Sequence, residues 1–186
     1  WGWRTDAAAE HRVKAIIAVA GTVFAAVWQV TVAPLFPVWN ITFDFVLLVL
    51  VLVAAFGTPR RAMVCIPVAA LAYGFLANRE PGLLVLAYLP LLPLGLYLEE
   101  TRVPLNHFGR TALALVATGA WARLLLVLGA VVGGASANVG FVLFGVVLPG
   151  LFLDLALLSL VYLPLRLLGW SGQSMSLSRG GYYSSL

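Results

Sequence analysis

Asp44, Arg123 and Asp154 are charged residues set inside otherwise apolar runs of this 186-residue chain. An ionised side chain at the centre of a bilayer costs about 2.5–3.5 kcal/mol on insertion scales, so each is expected to face protein or water and to have a partner. Arg123 lies 13 residues after Arg110, and Asp154 lies 12 residues before Arg166 (123 − 110 and 166 − 154). That spacing sets both near mid-depth of neighbouring helices running in opposite directions. An Arg123–Asp154 ion pair is then within reach, and a guanidinium can fork onto a carboxylate. Such a pair could lock two helices or relay a proton or a substrate. Locking is favoured, because no further mid-membrane acid or histidine completes a relay. Asp44 is expected to sit shallower, toward the outer interface, where it would cap a helix or meet water, with Gln29 as its nearest polar neighbour.

No other residues are spaced for catalysis. His11 and His107 fall in polar connections, without a Ser or Cys at a strained turn beside them. Glu99-Glu100, with Arg102 nearby, borders a loop at a helix end and reads as a solvated cap. Cys65 is the single cysteine and lies in an apolar run, so it reads as an inert buried thiol, with no disulfide framework and no cysteine metal cluster. There is no glycine-rich phosphate loop and no metal-ligand spacing. No enzyme, cofactor or metal function is expected.

The elements that must position the three charges are six apolar stretches, each roughly long enough to cross a bilayer, with short turns between them. A hydrocarbon core about 30 Å thick takes around 20 residues of helix, and within it only helices or closed barrels satisfy their own backbone groups. Span one covers about 13–32 and stops at Pro34-Leu35-Phe36-Pro37; span two covers about 41–56 and ends at Gly57-Thr58-Pro59. Span three covers about 62–77, and span four about 83–98, with Pro90 and Pro93 predicting a kink inside it. Span five covers about 111–132. Span six, about 139–168, is over-long, and Pro149-Gly150 is expected to break or bend it. Residues 1–12 read as an N-terminal segment and 169–186 as a Ser- and Gly-rich, mobile tail.

Composition agrees. Hydrophobic residues make up 62% of the chain and charged residues 10%, with a mean hydropathy of +1.03. A soluble domain carries about 25% charged residues, so a water-facing surface cannot be built here. The expected class is an all-α integral membrane protein, one bundle of six transmembrane helices. The net charge of +4 and pI near 9.6 do not point to nucleic acid, because the basic residues are scattered at helix ends. Nine lie at the N-terminus, the second and fourth loops and the C-terminal end, whereas Arg79 alone lies in an odd-numbered loop. This bias predicts both termini on the cytoplasmic side. Trp28, Trp39 and Tyr73 fall toward the outer ends of their spans, and Tyr97, Tyr162 and Trp170 toward the inner ends. The chain opens without an initiator Met, which leaves its natural start open, and no cleavable signal pattern precedes the first span.

Small residues recur at helical spacing: Ala70 and Gly74 in span three, and Ala114, Thr118 and Ala122 in span five, with Gly119 one turn before Arg123. Such positions let backbones approach closely in lipid. Packing inside the bundle is the simpler expectation. Docking of a partner's helix at Ala70 and Gly74 is the sharper one.

Several segments together resemble the bacterial rod shape-determining MreD family. They are Val27-Trp28-Gln29 at the end of span one, Phe43-Asp44-Phe45-Val46-Leu47-Leu48 opening span two, Glu80-Pro81-Gly82-Leu83 before span four, and Leu148-Pro149-Gly150-Leu151-Phe152-Leu153-Asp154 in the last span. Phe43 stands where that family usually has Pro, and Asp154 where it usually has Asn. The resemblance implies a fold similar to the substrate-binding component of energy-coupling-factor vitamin transporters. It implies a non-catalytic scaffold in the bacterial inner membrane, working without cofactors beside membrane lipids. The implied partners are MreC, the wall-elongation transpeptidase with its polymerase, and the actin-like protein MreB. A vitamin-capturing transporter component is the competing function, since Gly21 and Ala25 could dock a partner helix. The uncharged first and fifth loops favour the scaffold.

Overall fold

The computed structural model describes residues 3–37, 42–57, 59–100, 105–134 and 138–167. The described residues are helical, in the order α1 (Trp3–Thr31), a 3₁₀ turn (Ala33–Leu35), α2 (Phe45–Phe56), α3 (Pro59–Leu76), α4 (Pro81–Tyr88), α5 (Leu91–Glu100), α6 (His107–Val132), α7 (Val139–Phe141), a π-helical stretch (Val142–Val147) and α8 (Leu148–Leu167). Three stretches are long and apolar enough to cross a membrane: Ala15–Leu35, His107–Val132 and Val142–Leu165. Phe45–Phe56, Arg61–Leu76 and Pro81–Tyr97 are apolar but shorter. Residues 3–12 continue α1 and do not form a separate segment. The tail expected over 169–186 lies outside the described residues, as do Trp39 and Trp170.

α2 is apolar all round, the signature of a helix enclosed by others. Val46, Leu47, Leu48, Leu50 and Val51 are all buried, packed with Cys65, Ile66, Ala69 and Ala70 of α3, Leu84 and Tyr88 of α4, Leu115 of α6 and Leu158 of α8. The outer surface is apolar as well: Phe24, Phe75, Phe144, Phe152 and Leu160 are all exposed, from four different parts of the bundle. Water does not tolerate apolar surface of that extent, whereas lipid does.

Prolines set the breaks. Pro90 cannot donate to the Leu86 carbonyl one turn back, and the rod parts between α4 and α5. The orphaned Leu86 carbonyl instead accepts from the Trp121 indole N–H of α6 at 3.2 Å. Pro149 likewise leaves Gly145 without its helical donor. The expected break at Pro149-Gly150 is replaced by a widening just before it, with the Leu148 N–H donating to the Leu143 carbonyl five residues back. The rod then continues as α8. At the end of α3, Asn78 takes a left-handed conformation (φ +50°), and the Arg79 N–H closes on the Gly74 carbonyl at 2.9 Å.

Candidate functional site: a buried polar junction

α2 begins in an unusual place. The Asp44 N–H bonds to Asp154, which sits near the middle of the long apolar stretch Val142–Leu165. Non-helical backbone at 42–44 therefore lies against the centre of a rod long enough to cross a membrane. Such backbone is tolerated at that depth only where protein groups satisfy it. They do. The Gln29 side chain of α1 donates from Nε2 to the Phe43 carbonyl at 2.9 Å and accepts from the Phe45 N–H at 2.7 Å. The Asp44 carboxyl caps α2 by accepting from the Leu47 N–H at 2.9 Å. Asp154 Oδ1 accepts from the Asp44 N–H at 2.8 Å.

Asp154 is held from its other side by Arg123, whose Nη2 lies 2.6 Å from Oδ2. Asp154 is 0% exposed and the Arg123 side chain 13%. The guanidinium lies flat on α8 at Gly150, where a Cβ would come 2.6 Å from Nε and 2.8 Å from Nη2. Only glycine leaves room for it. Tyr88, fully enclosed at the end of α4, completes the junction with its hydroxyl 3.1 Å from Asp44 Oδ2.

The structure thus gathers Gln29, Asp44, Arg123 and Asp154 into one contiguous network joining α1, α2, α4, α6 and α8. One expectation needs correction: Asp44 is not set apart from the ion pair, since its own backbone N–H bonds to Asp154. Gln29 is the polar neighbour of Asp44, bonding to the peptide groups on either side of it, and Asp44 caps its helix. Tyr88 went unrecognised in the sequence, and Gly150 was read only as part of a bend, not as the place where Arg123 lies. A hydroxyl in an apolar run two residues before a proline is a faint signal for Tyr88. Gly150 acts through the absence of a side chain, which leaves no chemical signature.

Ala70 and Gly74 lie elsewhere and are not available to a partner's helix. Ala70 is 0% exposed, and a Cβ on Gly74 would meet Pro81 at 2.9 Å. Their small size serves the turn from α3 into α4 and the core, which corrects the partner-docking expectation.

A second cluster closes the opposite end of α2. His107 Nδ1 is 2.8 Å from the Tyr162 hydroxyl and Nε2 is 3.3 Å from the Ala55 carbonyl, whose helical donor would have been Pro59. Phe56 and Phe108 pack on the Tyr162 ring. The sequence placed His107 in a polar connection; the structure makes it a clasp between α2, α6 and α8.

Among the described residues no group of three His, Cys, Asp or Glu is placed to hold a metal ion. Gln29, Tyr88, Arg123 and Asp154 each bond through their side chains to another part of the bundle, so the junction can lock helices together. No protein family, curated protein or solved structure matches this chain.

Proposed function

We propose that this chain is a six-span bundle of the bacterial inner membrane with cytoplasmic termini. On this reading it is a non-catalytic scaffold of the cell-elongation machinery, resembling the MreD family and binding MreC. Through MreC it would engage the wall-elongation transpeptidase and its polymerase, with MreB on the cytoplasmic side. One observation carries the reading. Three of the four segments that bear the resemblance meet at one junction: those around Gln29 and Asp44, at consecutive span ends, and Pro149–Asp154, with Asp154 110 residues on from Asp44. A likeness due to apolar composition alone would be spread over the helices without regard to where they touch. The junction also suits a scaffold physically. It fixes five helices relative to one another, and a rigid bundle is what a partner's single transmembrane helix needs to pack against, since close packing drives association in lipid.

Depletion from a rod-shaped host should make cells round up with vitamin uptake unchanged, and the tagged chain should copurify MreC from membranes. Rods that keep their shape, together with tight vitamin binding by the purified protein, would transfer the case to the transporter component.

A further inference from the structure

Hydroxyl groups in the described helices follow one habit, with a single exception. Thr22, Thr31, Thr111 and Ser159 each donate to a carbonyl of their own helix three or four residues back, at 2.7–2.9 Å. Thr118 of α6 does not. It is 0% exposed, and its Oγ1 has no hydrogen-bond partner within the protein. Interiors rarely enclose such a group without giving it a partner. Two contacts fix what lies opposite. A Cβ on Gly129 would sit 3.1 Å from Leu83 Cδ2, and the Trp121 indole donates to the Leu86 carbonyl. α4 therefore descends as α6 rises. Thr118 is one turn before Trp121 on the adjoining face. It comes level with the next turn of the facing rod, where Leu89 and Pro90 separate α4 from α5.

Helical hydrogen bonds are diverted at that break. Pro93 has no N–H for the Leu89 carbonyl, and the Leu92 N–H serves it at 3.1 Å. That N–H is thereby drawn away from the Tyr88 carbonyl, its ordinary partner in a helix. A hydroxyl without a partner thus stands beside carbonyls with lone pairs to spare. In membrane bundles, proline breaks are made good by Ser or Thr side chains and by ordered waters. Ala114 and Ala122, one turn to either side of Thr118, are buried and add no bulk. We propose that Thr118 Oγ1 and the carbonyls of the α4–α5 break bind one buried water, which pins α6 to the end of α4. The Thr118 hydroxyl donates to the water, and the water donates to the Tyr88 and Leu89 carbonyls. That gives it the roughly three polar partners such a site requires. Tyr88 is also the residue whose hydroxyl reaches Asp44, so the water steadies the polar junction from behind. This stands independently of the scaffold reading.

Infrared difference spectra of the full chain in lipid nanodiscs, taken between ordinary and heavy-oxygen water, test this directly. The wild type should show the O–H stretch of an isolated internal water, moved to lower frequency by the heavy isotope. Thr118→Val, nearly the same shape without the hydroxyl, should lose that band, and Thr118→Ser should keep it. Thr118→Val should also lower the thermal midpoint by about 2–4 °C, the effect of one lost hydrogen bond in a chain of this size. An idle hydroxyl predicts the reverse, because valine would relieve a buried unpaired group. Pro93→Ala supplies an N–H for the Leu89 carbonyl and returns the Leu92 N–H to Tyr88, so Thr118→Val should cost little in that background. Should Thr118→Val alone fail to fold, Pro93→Ala decides, because healing the break should remove the same band. A wild type without the band, a band that persists in Thr118→Val or in Pro93→Ala, or a Thr118→Val at least as stable as the wild type overturns the proposal.

Discussion

Asp154 answers to two partners, and that makes it and Arg123 unequal. Arg123→Leu leaves a buried carboxylate that still accepts from the Asp44 N–H, whereas Asp154→Leu strands a guanidinium and a backbone donor together. Breaking a buried pair from one side costs about 3–5 kcal/mol, and an orphaned buried donor about 1–3 kcal/mol. Adding Asp154→Leu to Arg123→Leu should therefore recover only part of the loss. The combination Arg123→Leu with Asp154→Asn, which keeps an acceptor for Asp44, should lie closest to the wild type in detergent unfolding. Equal stability of the two double variants would mean that the Asp44 N–H bond contributes nothing. Gln29→Leu strands the Phe43 carbonyl and the Phe45 N–H, about 1–3 kcal/mol for each. Gly150→Ala should destabilise by a similar 1–3 kcal/mol through overpacking, because its methyl group would displace the Arg123 guanidinium. Restoration of Gly150→Ala by Arg123→Leu in the same assay would locate the clash. The Arg123–Asp154 contact was legible from the sequence because helical rise turns residue counts into depth. Asp44 was misplaced because the same count treated 41–44 as helix.

Elements broken by proline depend on neighbours for the hydrogen bonds they lose. The pattern of Pro90 and Pro93 announced the break in the fourth rod, but the identity of the rescuing group did not follow from local sequence. The Trp121 indole that caps the Leu86 carbonyl is 35 residues away and belongs to α6. The π-helical stretch was illegible for a related reason. Pro149 forbids one bond, and whether the chain kinks or widens is decided by what α8 packs against, here Arg123 over Gly150. These elements make a paired prediction. Trp121→Phe keeps most of the ring but removes the N–H; on the six-span reading the exposed Leu86 carbonyl would then be left unpaired against lipid, at about 1–3 kcal/mol. Pro90→Ala returns an N–H to residue 90, so Leu86 can be satisfied within its own helix. In the Pro90→Ala background, Trp121→Phe should then cost little by thermal unfolding. An unchanged cost would mean that Trp121 acts through ring packing alone.

At the scale of the molecule, α2 poses the main difficulty for a six-span reading. Twelve residues of helix reach about 18 Å, well short of a hydrocarbon core about 30 Å thick. If α2 is a full crossing, as the proposed reading requires, the remaining depth would have to be covered by non-helical backbone such as 42–44, which Gln29, Asp44 and Asp154 keep satisfied inside the protein. Two ends follow from the contacts. The clasp of His107 with Ala55 and Tyr162 gathers the end of α2, the start of α6 and the lower part of α8. The turn at Asn78 and the start of α7 at Asn138 fall at the opposite end if the rods alternate. On the proposed reading, the bias of the basic residues predicts the His107 end on the cytoplasmic side. Cysteines introduced at Asn78 and Asn138 should accordingly react with an impermeant maleimide in intact spheroplasts, and one at exposed Leu105 only after lysis. The native Cys65 is 1% exposed and should leave the background low. Labelling of Leu105 alone from outside would invert the orientation. Labelling of Asn78 and Leu105 from the same side, with Asn138 on the other, would mean that the short rods do not cross, leaving the three long helices as the spans among the described residues.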